Sequence, residues 1–386
     1  MAYDFAMLTV VIEGWRFIPH SYALSTQYSA LELLKQPDVR LYHTDLEFSL
    51  PTWKAVPGLF EPHDEEAVRN IPAPPADLVP DVLIRAGFPH DFGPTNAKRL
   101  YVFGTTETGV MPPQHLKHGG ELSSIMKSTG AHIITTSQWA RDGFVRSGAK
   151  ADRTHVVHLG VAAAACAAPT PAQVAAARVR FEIAPDAFVF LNTGAMTPNK
   201  GIVFLFRAFA QVAAKHPRAL LLLKGLDEMY QSRQYIDAAL ESLSPPENAL
   251  VKARLKYIGE PLSGADMLAL QHAADCYCCP YVAEGFNMPA LEAAAQGLLV
   301  IATKGGSTDD FLAPSFSLKI PSTRKKLNDS LGFGLEPDVN QLVSLMCRAI
   351  TDDKLRVAAR AAGPQHVANG FTWKHTAARI LKLIQS

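Results

Sequence analysis

The feature that most restricts the fold of this 386-residue chain is an alternation of short β-rich runs with helical patterns. Such alternation is typical of parallel strands joined by crossover helices. An Ala- and Pro-rich stretch at 162–187 interrupts the pattern, which then starts again at "FVFLNTG". We therefore expect two α/β domains in tandem, the first over residues 1–165 and the second over residues 180–370.

Composition and charge exclude several classes of protein. The chain is 48% hydrophobic and 19% charged, as in globular proteins, and its net charge of +1 argues against nucleic acid as a partner. Its second part is the more basic, which would suit an anionic ligand there. Five cysteines without the spacing of a disulfide framework fit reduced thiols and a cytoplasmic location.

The apolar runs predict no membrane-spanning helix, because none approaches the roughly 18–20 residues that a span requires. Membrane contact is therefore expected to be peripheral at most. The first apolar run has Asp4 before it and Glu13 after it, so it lacks the basic leader of a signal peptide and is predicted to be a first strand.

The stretch "AEGFNMPALEA", residues 283–293, combines helix signals with two acids. Pro289 suits the first position of a helix and Gly297 suits its C-terminal cap, which predicts a helix over 289–296. Asn287 tolerates a left-handed backbone, so the loop before the helix can turn its amides toward a ligand. The N–H groups and dipole of a helix N-terminus favour phosphate.

Phosphate binding does not explain the two carboxylates beside this site. Glu284 lies in the predicted loop, and Glu292 lies near the first turn of the helix. Both would repel phosphate but would accept hydrogen bonds from neutral hydroxyls. A nucleoside diphosphate sugar offers hydroxyls on either side of its diphosphate. An isolated pair of acids at this spacing is usually a solvated surface feature, so the interpretation depends on the "GF" and Pro between them and on the apolar runs that flank them.

Three segments carry a resemblance to a known family. "EGFNMPALEAAAQGLLVIATKGG" resembles the E-x7-E region of retaining glycosyltransferases of family 4. "LNTGAMTPNKGIVFLFRAF" resembles that family's first C-domain strand and phosphate-binding lysine, and "FTWKHTAARIL" resembles its terminal helix. The resemblance implies the GT-B fold, in which two Rossmann-like domains face each other across a cleft and a terminal helix, here 371–386, crosses back to the N-terminal domain.

The resemblance also implies roles for individual residues. Glu284 would bind the transferred sugar near its anomeric carbon, and Glu292 would bind the ribose hydroxyls. Lys200 would stabilise the leaving diphosphate, where preorganised positive charge lowers the barrier most. The remaining donor contacts are expected from Gly194 and from the backbone amides of Phe286, Asn287 and Met288. A plain turn lysine is the alternative for Lys200.

This sequence departs from the family pattern at several positions. Ala195 stands where the family often has an arginine, and Lys224 in "LLLLKG" is a candidate substitute. Asn287 replaces a glycine, which its tolerance of the left-handed backbone allows. The glycine pair that the family has after its first strand is reduced to Gly14.

The N-terminal domain offers two candidates for assistance at the reaction centre. Glu107 in "YVFGTTETGVMP" lies where many family members have a histidine, and His90 in "GFPHDFGP" is its rival. Arg16 and Ser21, in and after the loop that follows the first strand, are candidates for contact with the acceptor. Packing around the neighbouring aromatic residues is an equally good interpretation of that loop.

Neither a metal nor a cofactor is expected. The chain has no Asp-x-Asp motif to bridge a metal and a diphosphate. "HAADCYCC" lacks the paired spacing of zinc sites, and its cysteines fall in a predicted buried strand.

The sequence therefore predicts metal-independent, retaining transfer of a sugar from a nucleotide diphosphate donor to a hydroxyl acceptor. A UDP-sugar such as UDP-glucose is the expected donor, and a lipid-linked glycan in polysaccharide or glycan biosynthesis is an expected acceptor. The alternatives are a GDP-mannose-dependent mannosyltransferase and a catalytically silent subunit that binds a nucleotide sugar. No residue distinguishes the base of the donor.

Overall fold

A computed structural model of the chain describes residues 7–327 and 332–386, so Asp4 lies outside the described residues. The described chain forms two compact units. The first comprises residues 7–160 and 372–386 together with Gly332, and the second comprises residues 161–327 and 333–371.

The first unit is built on a parallel sheet, which has six strands among the described residues, in the order β2-β1-β3-β4-β5-β6. The order reverses direction between β1 and β3, so loops after these strands diverge to opposite faces of the sheet. The strands are β1 (Leu8–Gly14), β2 (Val39–Asp45), β3 (Val82–Ala86), β4 (Arg99–Phe103), β5 (His132–Thr135) and β6 (Thr154–Val156). The helices between them are α1 (Ser21–Leu33), α2 (Pro62–Arg69), α3 (Leu122–Thr129) and α4 (Gln138–Arg146).

Helix α2 lies in a proline-rich segment of the chain. The prolines in residues 51–81 predict irregular polypeptide throughout, whereas residues 62–69 are helical. Pro62 occupies the first turn, where a missing N–H costs nothing, and no other proline interrupts the following seven residues. The flanking segments 46–61 and 70–81 have no strand or helix, as predicted.

The second unit contains a parallel sheet of six strands within the described range, in the order β9-β8-β7-β10-β11-β12. This is the doubly wound Rossmann order, and its direction reverses between β7 and β10. The strands are β7 (Phe188–Thr193), β8 (Ala219–Lys224), β9 (Leu255–Ile258), β10 (Cys276–Cys279), β11 (Leu299–Thr303) and β12 (Ser317–Ile320). Strands β10 and β11 are buried throughout, as their apolar composition predicts.

Helices cover both faces of that sheet, and they are α5 (Pro171–Arg180), α6 (Ile202–Lys215), α7 (Asp227–Tyr230), α8 (Ser232–Glu241), α9 (Pro245–Ala253), α10 (Gly264–His272), α11 (Met288–Ala295), α12 (Val339–Thr351) and α13 (Asp353–Gly370). Helix α6 buries Leu205, Phe206 and Phe209 at helical spacing. Each such side chain contributes roughly 1.5–3 kcal/mol by leaving water. An antiparallel pair, β13 (Ser322–Lys326) and β14 (Phe333–Pro337), was not expected from the sequence.

The last helix, α14 (Trp373–Gln385), belongs to the first unit although it follows the second in the chain. Its Trp373 ring stacks on Tyr28 of α1, with ring centroids 5.0 Å apart and an angle of 5° between the planes. Thr376 Oγ1 donates to the His158 carbonyl at 2.9 Å, and Gln385 Nε2 donates to Asp38 Oδ2 at 3.0 Å. The helix therefore completes the covering of the first sheet. No helix among the described residues is long and apolar enough to cross a bilayer.

Candidate active site

The loops after β7 and β10 meet at the point where the second sheet reverses direction, which is where open α/β sheets bind ligands. Asn199 joins the two loops. Its carbonyl accepts from the Val282 and Ala283 amides at 2.8 and 3.1 Å, and its side-chain Nδ2 donates to the Ala283 carbonyl at 3.2 Å. No sequence signal indicates this role for Asn199, which fixes the position of the lysine that follows it.

Gly201 is required where the first of these loops enters α6. Its φ is +72°, a left-handed conformation, and a Cβ placed on it would lie 1.9 Å from the Pro280 carbonyl oxygen. The two loops therefore pack so closely that only glycine fits. Lys200, the preceding residue, is consequently held against the loop that carries Glu284.

Lys200 and Glu284 form an ion pair across these loops. Lys200 Nζ lies 2.7 Å from Glu284 Oε1, and the side chains are only 20% and 9% exposed. The two residues are 84 positions apart in the sequence, and the switch in strand order brings them together. The site thus places an ammonium group and a carboxylate at hydrogen-bond distance from each other.

The segment between the two acids adopts the predicted conformation. Helix α11 begins at Met288 and ends at Ala295, within one residue of the predicted bounds, and Gly297 follows it with a φ of +74°. Asn287 has a left-handed backbone, with φ +79° and ψ +68°, and its Oδ1 accepts from the Ala290 amide at 3.1 Å. Asn287 thus both turns the chain and caps the helix.

Phe286 is held by the segment after β11. Its ring centroid lies 4.7 Å from that of Phe311, and its carbonyl accepts from Ser307 Oγ at 3.2 Å. Tyr281 braces the same segment, because its hydroxyl contacts Thr308 Oγ1 at 2.9 Å. The loop at the start of α11 is therefore rigidly supported, which a preorganised binding site requires.

Glu292 is the fifth residue of α11 and so lies just beyond its first turn, near where it was expected. Gln271 Nε2 donates to its Oε2 at 3.4 Å. Burial raises the pKa of Glu292 to about 7, a shift that the Gln271 hydrogen bond opposes. Near neutral pH this carboxyl therefore exists in both protonation states, and hydrogen bonds from ligand hydroxyls would favour the charged one.

Gly194 and Lys224 lie beside Lys200. The Gly194 amide donates to the Lys224 carbonyl at 3.0 Å, and a Cβ on Gly194 would be 3.9 Å from Lys200 Cε. Lys224 is 6% exposed and its Nζ donates to the Gly225 carbonyl. Burial lowers its pKa to about 8, and the carboxylates of Glu260 and Asp227 oppose that change. Whether Lys224 substitutes for the absent arginine therefore stays a prediction.

Candidate residues of the first unit follow the carboxyl ends of its strands. After β1, Arg16 Nε donates to Asp45 Oδ1 at 2.7 Å, so its charge is already paired. Ser21 is the exposed first residue of α1, and its carbonyl accepts from Ser25 Oγ at 2.6 Å. Glu107 follows β4 and is half-buried, and its carbonyl accepts from Trp139 Nε1 at 2.9 Å.

The His90 ring is buried in the first unit. Its ring is 2% exposed and lies against Gly104, where an added Cβ would be 2.3 Å from His90 Cε1. The Tyr22 ring stacks on it with centroids 6.1 Å apart. Burial lowers the pKa of His90 to about 4, so the ring is neutral. Of the two rival residues, Glu107 is the accessible one.

No cluster of three or more His, Cys, Asp or Glu side chains that could hold a metal ion occurs in the described chain. Cys276, Cys278 and Cys279 lie in buried strand β10, and burial raises the pKa of each thiol. His272 Nε2 contacts Gln296 Oε1 at 2.9 Å. These side chains pack the interior of the second unit.

Comparison with known proteins identifies the second unit. Residues 174–365 match the family model described as glycosyl transferases group 1. The match covers just under half of the chain, and it makes the second unit similar to that family. Residues 174–365 contain Lys200, Glu284 and Glu292, so the candidate site lies within the matched glycosyltransferase segment.

Two curated relatives extend the likeness. The chain is 27% identical over 224 residues to a GDP-mannose-dependent monoacylated alpha-(1-6)-phosphatidylinositol monomannoside mannosyltransferase of Corynebacterium glutamicum, covering 56% of this chain and 52% of the relative. It is 27% identical over 288 residues to D-inositol 3-phosphate glycosyltransferase 1 of Catenulispora acidiphila, covering 72% of this chain and 62% of the relative. The chain thus spans about half to three-fifths of the length of these relatives.

Solved structures confirm the fold over nearly the whole chain. Anabaena Alr3699/HepE, solved in complex with UDP and glucose, aligns with a TM-score of 0.70 at 14% identity and covers 98% of this chain and 100% of its own. A glycosyltransferase from Rickettsia africae aligns with a TM-score of 0.71, also at 14% identity, covering 98% of each chain. The predicted GT-B architecture of two Rossmann-like α/β domains is confirmed.

Proposed function

We propose that this protein is a retaining, metal-independent glycosyltransferase that transfers a hexose from a nucleoside diphosphate sugar to a hydroxyl acceptor. The observation that carries the proposal is the Lys200–Glu284 pair at the reversal of strand order, beside the N-terminus of α11. An ammonium group next to a helix N-terminus suits a diphosphate, and an adjacent carboxylate suits sugar hydroxyls.

In the proposed reaction the bond between the anomeric carbon and the diphosphate oxygen breaks while the acceptor oxygen bonds to the same face of that carbon. The acceptor proton passes to the departing phosphate oxygen. Lys200 stabilises the charge that develops on the diphosphate, assisted by Lys224, and Glu284 orients the sugar. Glu292 accepts hydrogen bonds from the ribose hydroxyls, and Glu107 orients the acceptor or the sugar.

UDP-glucose is the donor that we propose first. Its support is that Alr3699/HepE, which has the same fold, was solved with UDP and glucose. GDP-mannose is the second candidate, and the named donor of the Corynebacterium relative favours it. The names of the curated relatives also support an acceptor built on a lipid or cyclitol. A silent binding subunit is disfavoured because both members of the Lys200–Glu284 pair are present.

Thermal stabilisation by UDP, GDP, UDP-glucose and GDP-mannose in the presence of EDTA tests the proposal. We expect one nucleoside diphosphate to raise the Tm, and we expect that rise to be smaller in Lys200→Ala and Glu292→Gln. The base that stabilises the protein identifies the donor class. Stabilisation that EDTA abolishes would contradict metal-independent binding, and no stabilisation by any of the four would contradict the function.

A further inference from the structure

Strands β7 and β10, which lead into the two loops of the candidate site, stop pairing before either strand ends. In the described chain their register ends at the pair Leu191 and Tyr277. The next two residues of each strand, Asn192–Thr193 and Cys278–Cys279, form what we call the open seam. On their outer sides these residues stay paired with β8 and β11. The sheet therefore opens between β7 and β10, directly before the loops that follow them.

Two side chains bridge the open seam, one from each strand. Asn192 Nδ2 donates to the Cys278 carbonyl at 2.7 Å, and the Tyr277 hydroxyl donates to the Thr193 carbonyl at 3.2 Å. Asn192 is 3% exposed and Tyr277 is 1% exposed, so water does not compete for these hydrogen bonds. Backbone N–H groups join parallel strands in a regular ladder, whereas side-chain donors join them at this seam.

The Tyr277 hydroxyl remains a donor at any pH at which the protein works. Burial raises the pKa of Tyr277 well above its ordinary value, and the nearby Cys279 and Glu284 raise that pKa further. The effect of Glu284 also shows that this side chain lies close to the candidate site. The bridge from Tyr277 is thus a permanent contact next to the carboxylate proposed to orient the sugar.

Beyond the open seam the two loops meet again. The Asn199 carbonyl accepts from amides of the loop after β10, and Gly201 packs against the Pro280 carbonyl. The loops are therefore joined at the seam and again beside Lys200. A change in the spacing of the seam would shift Lys200 relative to Glu284, whose 2.7 Å contact depends on both distance and angle.

We propose that Asn192 and Tyr277 are positioning residues, which set the spacing of the open seam and thereby the position of Lys200 relative to Glu284. The role of that pair in sugar transfer rests on the proposed function, whereas the spacing of the seam is a property of the fold. A site that stabilises developing charge needs its groups held in place before the substrate arrives.

The test removes each bridge beside a matched control. Tyr277→Phe deletes only the hydroxyl. Tyr101→Phe is its control, because the Tyr101 hydroxyl, on a side chain 2% exposed, donates to a carbonyl of α14 at the same 3.2 Å in the first unit. Asn192→Leu replaces the amide by an apolar group of similar size. Asn248→Leu is the control, because Asn248 Nδ2 donates to a carbonyl of α8 at 2.6 Å.

A double-mutant cycle in urea denaturation measures the coupling between Lys200 and Glu284, from Lys200→Met, Glu284→Gln and the double variant. We expect a coupling in the wild-type protein that falls by about half or more in the Tyr277→Phe and Asn192→Leu backgrounds and is unchanged in both control backgrounds. A role in overall stability alone would lower the free energy of unfolding and leave this coupling as it is. No coupling in the wild type, an unchanged coupling in the seam variants, or an equal loss in the controls would overturn the inference.

Donor turnover provides a second measurement. Release of the nucleoside diphosphate from UDP-glucose and from GDP-mannose, with water as the acceptor, gives kcat and KM for each variant. In Tyr277→Phe and Asn192→Leu, kcat should fall at least about tenfold while KM changes less than about threefold, because Glu292 and the amides of α11 still bind the nucleotide. Both constants should change less than about twofold in the controls. A loss confined to KM would overturn the inference.

The two measurements separate this inference from the proposed function. The double-mutant cycle needs no ligand, so it tests the open seam whether or not a donor binds. Donor turnover by the wild type together with a coupling that is unchanged in the seam variants overturns the positioning alone. A coupling that depends on the seam, in a wild-type protein that neither binds nor turns over a donor, supports the positioning and contradicts the function.

Discussion

Lys200 Nζ contacts Glu284 Oε1 at 2.7 Å, so the cation proposed to stabilise the leaving diphosphate is paired with the carboxylate proposed to orient the sugar. Each side chain holds the other in a defined position. A diphosphate that arrives competes with Glu284 for the same ammonium group. We therefore expect binding of a donor diphosphate to release Glu284 toward the sugar.

The first prediction concerns Glu284→Gln. Transfer should fall at least about a hundredfold, because the amide no longer carries the charge that orients the sugar near the reacting carbon. Affinity for the nucleoside diphosphate should be unchanged or higher, because Lys200 loses its competitor. The measurement is initial transfer rate beside calorimetric nucleotide affinity. Glu336→Gln is the matched control, since Glu336 pairs with Lys325 at 2.6 Å on an exposed surface. A parallel loss of rate and nucleotide affinity would contradict this separation of roles.

The second prediction is a pH dependence of stability. The pKa of Glu292 is raised to about 7 in the folded state, above the ordinary value of 4.5. As the pH rises from about 4.5 to 7, the unfolded carboxyl ionises before the folded one, so this residue lowers stability progressively and its full cost is present above pH 7. Glu292→Gln should therefore raise the Tm relative to wild type by more at pH 8 than at pH 5. A Tm difference that is the same at both values would show that Glu292 titrates normally.

Nucleotide binding should show the complementary dependence. If ribose hydroxyls donate to Glu292, the charged form is favoured in the complex, and affinity should increase as the pH rises through about 7. Calorimetry in buffers of different ionisation enthalpy should detect proton release on binding at pH 6.5. Glu292→Gln should abolish that release, whereas retention of the release would assign it to another group.

A third prediction tests the close approach of the two loops. Gly201→Ala adds a Cβ at 1.9 Å from the Pro280 carbonyl oxygen as well as left-handed strain. Gly58→Ala is the matched control, because Gly58 has a φ of +75° and nothing within 4 Å of the added atom. Strain alone should cost about 1–2 kcal/mol in the free energy of unfolding. The clash should add about 1–3 kcal/mol more and lower nucleotide affinity by displacing Lys200. If urea denaturation gave the same loss for Gly201→Ala and Gly58→Ala, the loops after β7 and β10 would be shown to separate easily.

A fourth prediction divides the two functions of Asn287. Asn287→Gly keeps access to the left-handed backbone and should cost a few tenths of a kcal/mol through the lost cap. Asn287→Ala loses the cap and strains the backbone, so its free energy of unfolding should fall by about 2 kcal/mol. Urea denaturation of both variants measures the difference, and equal stability would mean that the loop adopts another conformation.

Local signals in the sequence were sufficient for some parts of the structure. Pro289 and Gly297 predicted the bounds of α11 to within one residue, because the residues that start and cap a helix act within one turn of its ends. The alternation of elements predicted both parallel sheets. Strands β13 and β14 were missed because Ser322–Lys326 is polar and largely exposed, without the apolar alternation by which strands are recognised.

Tertiary relations could not be predicted in the same way. The family resemblance singled out Lys200 and Glu284 separately, but their contact depends on how two loops meet across β7 and β10. Nothing adjacent to His90 in the sequence indicates that Gly104 and Tyr22 enclose its ring. The Arg16–Asp45 pair likewise depends on the pairing of β1 with β2.

The position of α14 has a consequence for biosynthesis. Its residues close the first unit, yet they are translated after all of the second. On the ribosome, Tyr28 and the sheet beneath it therefore lack the covering Trp373 until residues 161–371 have been made. The described residues of the second unit, 161–327 and 333–371, are all made before Trp373 and can fold first, so the earlier-made half of this protein is expected to mature last.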